Sequence, residues 1–120
     1  MNIKTLVVDD SAVMRKIIVR TLNAIGVSAI IEAGDGNEAM KQINERSMGF
    51  FDLILSDWNM PDKSGLDFLK EVRATGSKVP FVMITTEAEK ARVIEAVQHG
   101  VSDYVVKPFD LKELEARLRA

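Results

Sequence analysis

Short apolar runs alternate with amphipathic stretches five times along this chain, and each apolar run stops at a polar residue or a glycine. The spacing predicts strands over 4–8, 27–33, 53–56, 80–85 and 104–106. Between them the 3.6-residue period predicts helices. The first covers 11–25, with Val13, Ile17, Ile18, Thr21, Leu22 and Ile25 on one face and Arg15, Lys16 and Arg20 off it. The second opens at a capping-box-like Asp35–Glu38 and carries Ala39, Met40 and Ile43. The third opens at Ser64, with Leu66, Leu69 and Val72 inward and Gly76 as its stop. The fourth follows a second capping-box pattern at 86–89, carries Ile94 and Val97 and has Gly100 as its stop, and the last opens at Asp110 with Leu111, Leu114 and Leu118 inward. Continuous apolar strands alternating with helices mean a parallel sheet covered on both faces. With right-handed crossovers this is a doubly wound (βα)5 domain of the α/β class. In such sheets ligands bind beyond the carboxyl ends of the strands, so the residues just after each strand carry most information.

Composition narrows the chemistry. At 120 residues the chain is expected to be a single domain, 1–120, large enough to bury a core. With 47% apolar and 28% charged residues it is neither disordered nor collagen-like, and no apolar run is long enough for a membrane-spanning helix. The N-terminus does not read as a signal peptide. There is no cysteine, which excludes disulfides, thiolate metal sites and a thiol nucleophile. His99 is the one histidine, too few for a His-rich metal site. A net charge of −2 argues against bulk attraction to nucleic acid or membranes. Carboxylates, hydroxyls and lysines remain.

At the strand ends stand Asp9 and Asp10, then Asp57, Thr85 and Lys107. Each alone has a plain reading: an aspartate or serine after a strand often caps the next helix, and a lone lysine is usually a solvated charge. Jointly they put three carboxylates, a hydroxyl and an amine at one end of one sheet. Two unit charges ~5 Å apart at an effective dielectric of ~20 repel by about 3 kcal/mol, so the cluster calls for a cation. All-oxygen donors with room for water suit Mg²⁺. A metal, an ammonium and a hydroxyl together stabilise a phosphoryl group in transfer, and an aspartate is itself a competent acceptor. Asp57, the single carboxylate on the central strand, is the candidate acceptor.

The segments 7–11 (VVDDS), 57–61 (DWNMP), 83–88 (MITTEA) and 104–109 (YVVKPF) resemble the receiver domain of two-component response regulators, in order and spacing, over essentially the whole chain. Within that family the likeness is to the single-domain chemotaxis regulators. The resemblance implies a flavodoxin-like fold with strand order 2-1-3-4-5. It implies that Asp57 accepts a phosphoryl group from a sensor histidine kinase. Asp9, Asp10, Asp57 and the backbone carbonyl of Asn59 would hold Mg²⁺. Lys107, followed by a cis bond to Pro108, would contact the phosphoryl oxygens. Thr85 and Tyr104 would form a switch that remodels the face made by the fourth helix, fifth strand and fifth helix, while Asn59 and Glu87 would tune dephosphorylation. Set beside one close member of that family, the chain has Thr86 where that protein has alanine and Ser64 in place of an acid.

The expected function is therefore a cytoplasmic, phosphorylation-activated switch in chemotaxis, not an enzyme with a diffusible substrate. Its expected partners are the kinase, a target such as a flagellar motor switch component, and a phosphatase, with no nucleic acid or membrane and a monomeric resting state. The alternatives are a phosphorelay intermediate, a regulator outside motility, or a Mg²⁺-dependent phosphatase. Other patterns fail. A calcium loop starting at Asp57 has Pro61 and Asp62 where a ligand and a glycine belong. The dinucleotide-like Gly34-x-Gly36-x-x-Ala39 follows the second strand rather than the first. A flavin phosphate would meet an acidic first loop.

Overall fold

The computed structural model describes residues 3–46, 49–86, 92–107 and 111–119. Ten elements alternate: β1 (Lys4–Val8), α1 (Ala12–Ala24), β2 (Ala29–Ala33), α2 (Gly36–Asn44), β3 (Leu53–Asp57), α3 (Gly65–Ala74), β4 (Phe81–Thr85), α4 (Val93–Gln98), β5 (Asp103–Val106) and α5 (Leu111–Arg119). The strands form one parallel sheet in the order β2-β1-β3-β4-β5, as expected. Its three inner strands are the buried ones: β3 and β4 are buried throughout, and β1 at every residue but Lys4. One face carries Ile18 and Leu22 of α1, Ile25 just after it and Leu114 of α5 over Val7, Leu55 and Ile84. The other carries Ala39 of α2, Leu66, Leu69 and Val72 of α3 and Ala96 of α4 over Leu6, Ile54, Phe81 and Met83.

The caps follow local chemistry. Ser11 caps α1 by accepting the Met14 amide, and Ser64 caps α3 by accepting the Asp67 amide. Asp35 accepts the Glu38 amide while the Glu38 carboxylate reaches back to the Gly34 amide, the reciprocal pattern of a capping box. Gly76 and Gly100 hold φ of +88° and +90° after α3 and α4, where a left-handed residue ends a helix.

The face expected to turn inward on α1 is only partly buried, and α4 likewise buries one edge of its apolar arc. On α1, Val13 and Ile17 are exposed, at 71% and 46%, and the buried stripe is Ile18, Leu22 and Ile25 with Met14 packed beside it. On α4, Ile94 and Val97 are exposed, at 71% and 60%, while Val93 and Ala96 are buried. The reason is the same in both. Adjacent residues lie ~100° apart on a helix, so an apolar arc wider than one stripe leaves a choice of edge. The sheet takes only one edge, which on α4 is the one that carries Val93 and Ala96. The expected opening at Asp110, the cis bond at Pro108 and residues 87–89 of the second capping pattern lie outside the described residues, as do the side chains of Leu111 and Leu118.

Candidate functional site

The parallel register gathers the candidate residues at the carboxyl edge of the sheet. Val8 of β1 pairs with Ser56 of β3, so Asp9 and Asp57 emerge side by side. Ser11, not Asp10, caps α1, and its amide donates to Asp9 Oδ1 at 2.8 Å. Asp10 is left exposed toward the edge. One carboxylate oxygen from each of Asp9, Asp10 and Asp57 lies within 4.8 Å of the others. Lys107 reaches in from the end of β5, its Nζ 3.1 Å from Asp57 Oδ1 and 3.9 Å from Asp9 Oδ2. Its backbone is fixed by donating its amide to the Thr85 carbonyl at 2.7 Å.

The electrostatics describe a site short of positive charge. Asp9 and Asp57 are both buried, and Asp9 Oδ2 accepts no hydrogen bond among the described residues. Burial pushes the Asp57 carboxyl above the ordinary carboxylate range; the neighbouring Asp9 pushes the same way, and Lys107 opposes both. Burial raises Asp9 too, against the Ser11 amide and Lys107. An acid whose folded-state value is raised binds its proton more tightly when folded. Its ionisation therefore lowers stability as pH climbs from about 4, the unfolded value, through the folded one. An Asp57→Asn protein should accordingly match wild type in melting temperature below pH 4. It should gain on wild type as pH rises toward neutrality without divalent cation. A difference that stays constant from pH 3 to 8 contradicts this reading. A buried carboxylate oxygen that accepts no hydrogen bond from the described residues, beside two further carboxylates, is a donor set that fits a hard divalent cation.

The remaining expected residues are placed as follows. Thr85 ends β4 fully buried, its hydroxyl donating to the Thr86 carbonyl at 3.3 Å. Tyr104 pairs in register with Met83, two residues before Thr85, and packs half-buried against the same cluster. Asn59 is exposed in the loop after β3. Glu87 lies outside the described residues. Two residues passed over in the sequence also shape the site. Arg15 donates to the Asp9 carbonyl at 2.6 Å and to Glu32 at 3.1 Å, tying α1 and β2 to the acidic loop. Gly65 opens α3 against the end of β3: a Cβ there would lie 2.2 Å from the Asp57 carbonyl oxygen. A glycine just inside a capped helix start is the one available sequence signal for such an approach.

The comparisons agree with this geometry. The family described as "Response regulator receiver domain" matches residues 5–119. Chemotaxis protein CheY1 of Helicobacter pylori is 44% identical over 117 residues, covering 96% of this chain and 93% of the relative. Chemotaxis protein CheY-3 of Vibrio cholerae is 41% identical over 119 residues, covering 98% and 89%. Among solved structures, chemotaxis protein CheY4 of Vibrio cholerae superposes with a TM-score of 0.86 at 34% identity over 98% of this chain and 96% of that one. A receiver domain from Clostridium thermocellum shares the fold with a TM-score of 0.89. From the sheet order, the acidic edge and these matches together, the chain belongs to the response regulator receiver domain family.

Proposed function

We propose that this chain is a phosphorylation-activated switch in a chemotaxis pathway, taking a phosphoryl group from a sensor histidine kinase onto Asp57. The observation that supports it most directly is the meeting of three carboxylates with one lysine at the carboxyl edge of the sheet. In the transfer, an Asp57 carboxylate oxygen attacks the phosphorus of a phosphohistidine. The new P–O bond forms as the P–N bond breaks, and the imidazole leaves with the electron pair and takes up a proton. Asp9, Asp10, Asp57 and the Asn59 carbonyl would hold Mg²⁺, which when bound supplies positive charge for the phosphoryl oxygens. Lys107, 3.1 Å from Asp57 Oδ1, is positioned to follow the same oxygen and neutralise the charge that arrives.

An acyl phosphate adds roughly −1.5 to −2 charges, by analogy with other phosphoryl modifications. Thr85, on the strand beside Asp57, would donate its hydroxyl to that group. Tyr104, on the next strand and the same sheet face, would follow, altering the outer surface of α4, β5 and α5 on which a target binds. The curated relatives carry chemotaxis in their names, which favours a motility target such as a flagellar motor switch component. The reading also carries a cytoplasmic location, a monomeric resting state and Glu87 with Asn59 as modulators of dephosphorylation. No helix among the described residues is long and apolar enough to cross a membrane.

Trp58 adjoins Asp57 and is the only tryptophan, so its emission reports on the site. Titration with Mg²⁺ should change that emission, and Asp10→Ala should weaken the apparent affinity about tenfold or more, because one of three carboxylates is lost. An unchanged titration removes Asp10 from the metal site. Sustained turnover of phosphomonoesters would sink the switch reading in favour of a phosphatase.

A further inference from the structure

Trp58 makes a contact for which phosphoryl transfer itself has no use. It is 1% exposed and packs on the sheet face covered by α2, α3 and α4. Its indole Nε1 is buried and has no hydrogen-bond partner among the described residues. Over its ring lies the guanidinium of Arg92, 5.0 Å from the centroid. Arg92 immediately precedes α4 and makes no side-chain cap to it. Ala96, four residues on and hence on the same face, is buried in the cluster that contains Trp58. The start of α4 is thus held to the cluster in two ways: apolar packing at Ala96 and a cation on an indole face at Arg92.

These two attachments respond differently to charge. Apolar packing is indifferent to a new anion nearby. A guanidinium is held on an indole by the ring quadrupole, an electrostatic attraction that a stronger anion competes with. The Arg92 side chain is half exposed and so has room to move, and its ion pair among the described residues is a long one, 3.9 Å to Glu95. Trp58 is joined to Asp57 by a single peptide bond. Its backbone is pinned on both sides, the amide donating to Ile84 and the carbonyl accepting from Gly65. The indole is therefore a fixed platform and the arginine is the part that adjusts. Ile94 and Val97, the exposed apolar residues of α4, move with whatever moves that helix start.

We propose that Arg92, stacked on Trp58, is a positioning residue that seats the start of α4 against the phosphoacceptor strand, and that negative charge added at Asp57 loosens this seat by competing for the guanidinium. The proposal deepens the switch reading and rests on Asp57 as acceptor.

The test is Trp58 fluorescence in wild type, Arg92→Gln, Arg92→Lys and Glu95→Gln, each measured at rest and with Mg²⁺ plus beryllium fluoride. Arg92→Gln should shift the resting emission toward that of the beryllofluoride form of wild type. It should also reduce the beryllofluoride-induced change at least twofold. Arg92→Lys, which keeps a cation, should restore most of both. Glu95→Gln should leave both as in wild type. The proposal is overturned if Arg92→Gln keeps the wild-type emission and full response, if lysine fails to rescue, or if Glu95→Gln reproduces the effect. A wild-type protein silent to beryllium fluoride would refute the acceptor assignment instead, while the resting emission of Arg92→Gln still decides whether the seat exists.

Discussion

An Asp57→Asn protein is expected to fold, to melt at a higher temperature than wild type at neutral pH, and to form no acyl phosphate at all. Asparagine keeps the shape of the side chain and an oxygen for Lys107 to donate to. It removes the nucleophilic carboxylate and one of three crowded negative charges. A neighbouring charge within 4.8 Å is worth about 3 kcal/mol at an effective dielectric of ~20, and Lys107 already offsets part of this. A net gain of about 1 kcal/mol follows, or roughly 4 °C in melting temperature for a domain of this size. Loss of function with gain of stability is the signature of a site whose charges are gathered for chemistry. Intact-mass measurement after exposure to the phosphorylated kinase domain checks the first half, and thermal melts without divalent cation check the second. Trp58 emission should be unmoved by beryllium fluoride at any concentration. A mutant that still responds, or still gains mass, places the acceptor elsewhere.

Gly65→Ala should be among the most damaging single-methyl additions in the protein. On helix propensity alone alanine improves on glycine by up to about 1 kcal/mol, so propensity predicts a gain. The tertiary structure reverses the sign. The added Cβ would lie 2.2 Å from the Asp57 carbonyl oxygen, 2.8 Å from Met83 Sδ and 3.0 Å from Trp58 Cα. The nearest of these atoms belongs to the backbone of a central strand and has nowhere to go. Either α3 lifts from the sheet, losing the Gly65 amide bond to the Trp58 carbonyl, or the end of β3 shifts with Asp57 on it. Overpacking of this kind costs about 3 kcal/mol, which is roughly 10 °C. It should weaken the Mg²⁺ response as well, because the backbone that carries Asp57 moves. Gly34→Ala is the control: its new Cβ would come no nearer than 3.4 Å to any atom, the far end of the Glu38 side chain. Equal melting temperatures for the two variants would show that the contact at Gly65 is not a constraint.

The same contrast separates what was legible from what was not. The strands were legible because three of the five are buried on both faces, which demands continuous apolar runs that no helix surface imitates. The acid cluster was legible for a topological reason. In a parallel sheet every strand ends at the same edge, so residues far apart in sequence are neighbours whenever each follows a strand. Asp9, Asp57 and Lys107 obey that rule, and their contacts at 3.1 Å and 3.9 Å bear it out. The inward faces of α1 and α4 were not legible, because Val13, Ile17, Ile94 and Val97 are as apolar as the residues that are buried beside them. Periodicity identifies an apolar arc; only the docked sheet selects which edge of it is covered.

Order along the chain, then, determined the class of fold, the edge at which the charged groups gather and the identities of those groups, since all three follow from local pattern and from the way parallel strands align. Tertiary packing alone decided that Asp9 is buried and Asp10 exposed, that Gly65 admits no side chain and that Arg92 rests on Trp58. Each of these depends on distances between segments that the intervening residues do not encode. A contact is fixed only when two surfaces close on one another, and there a single methyl group or one displaced charge changes the outcome.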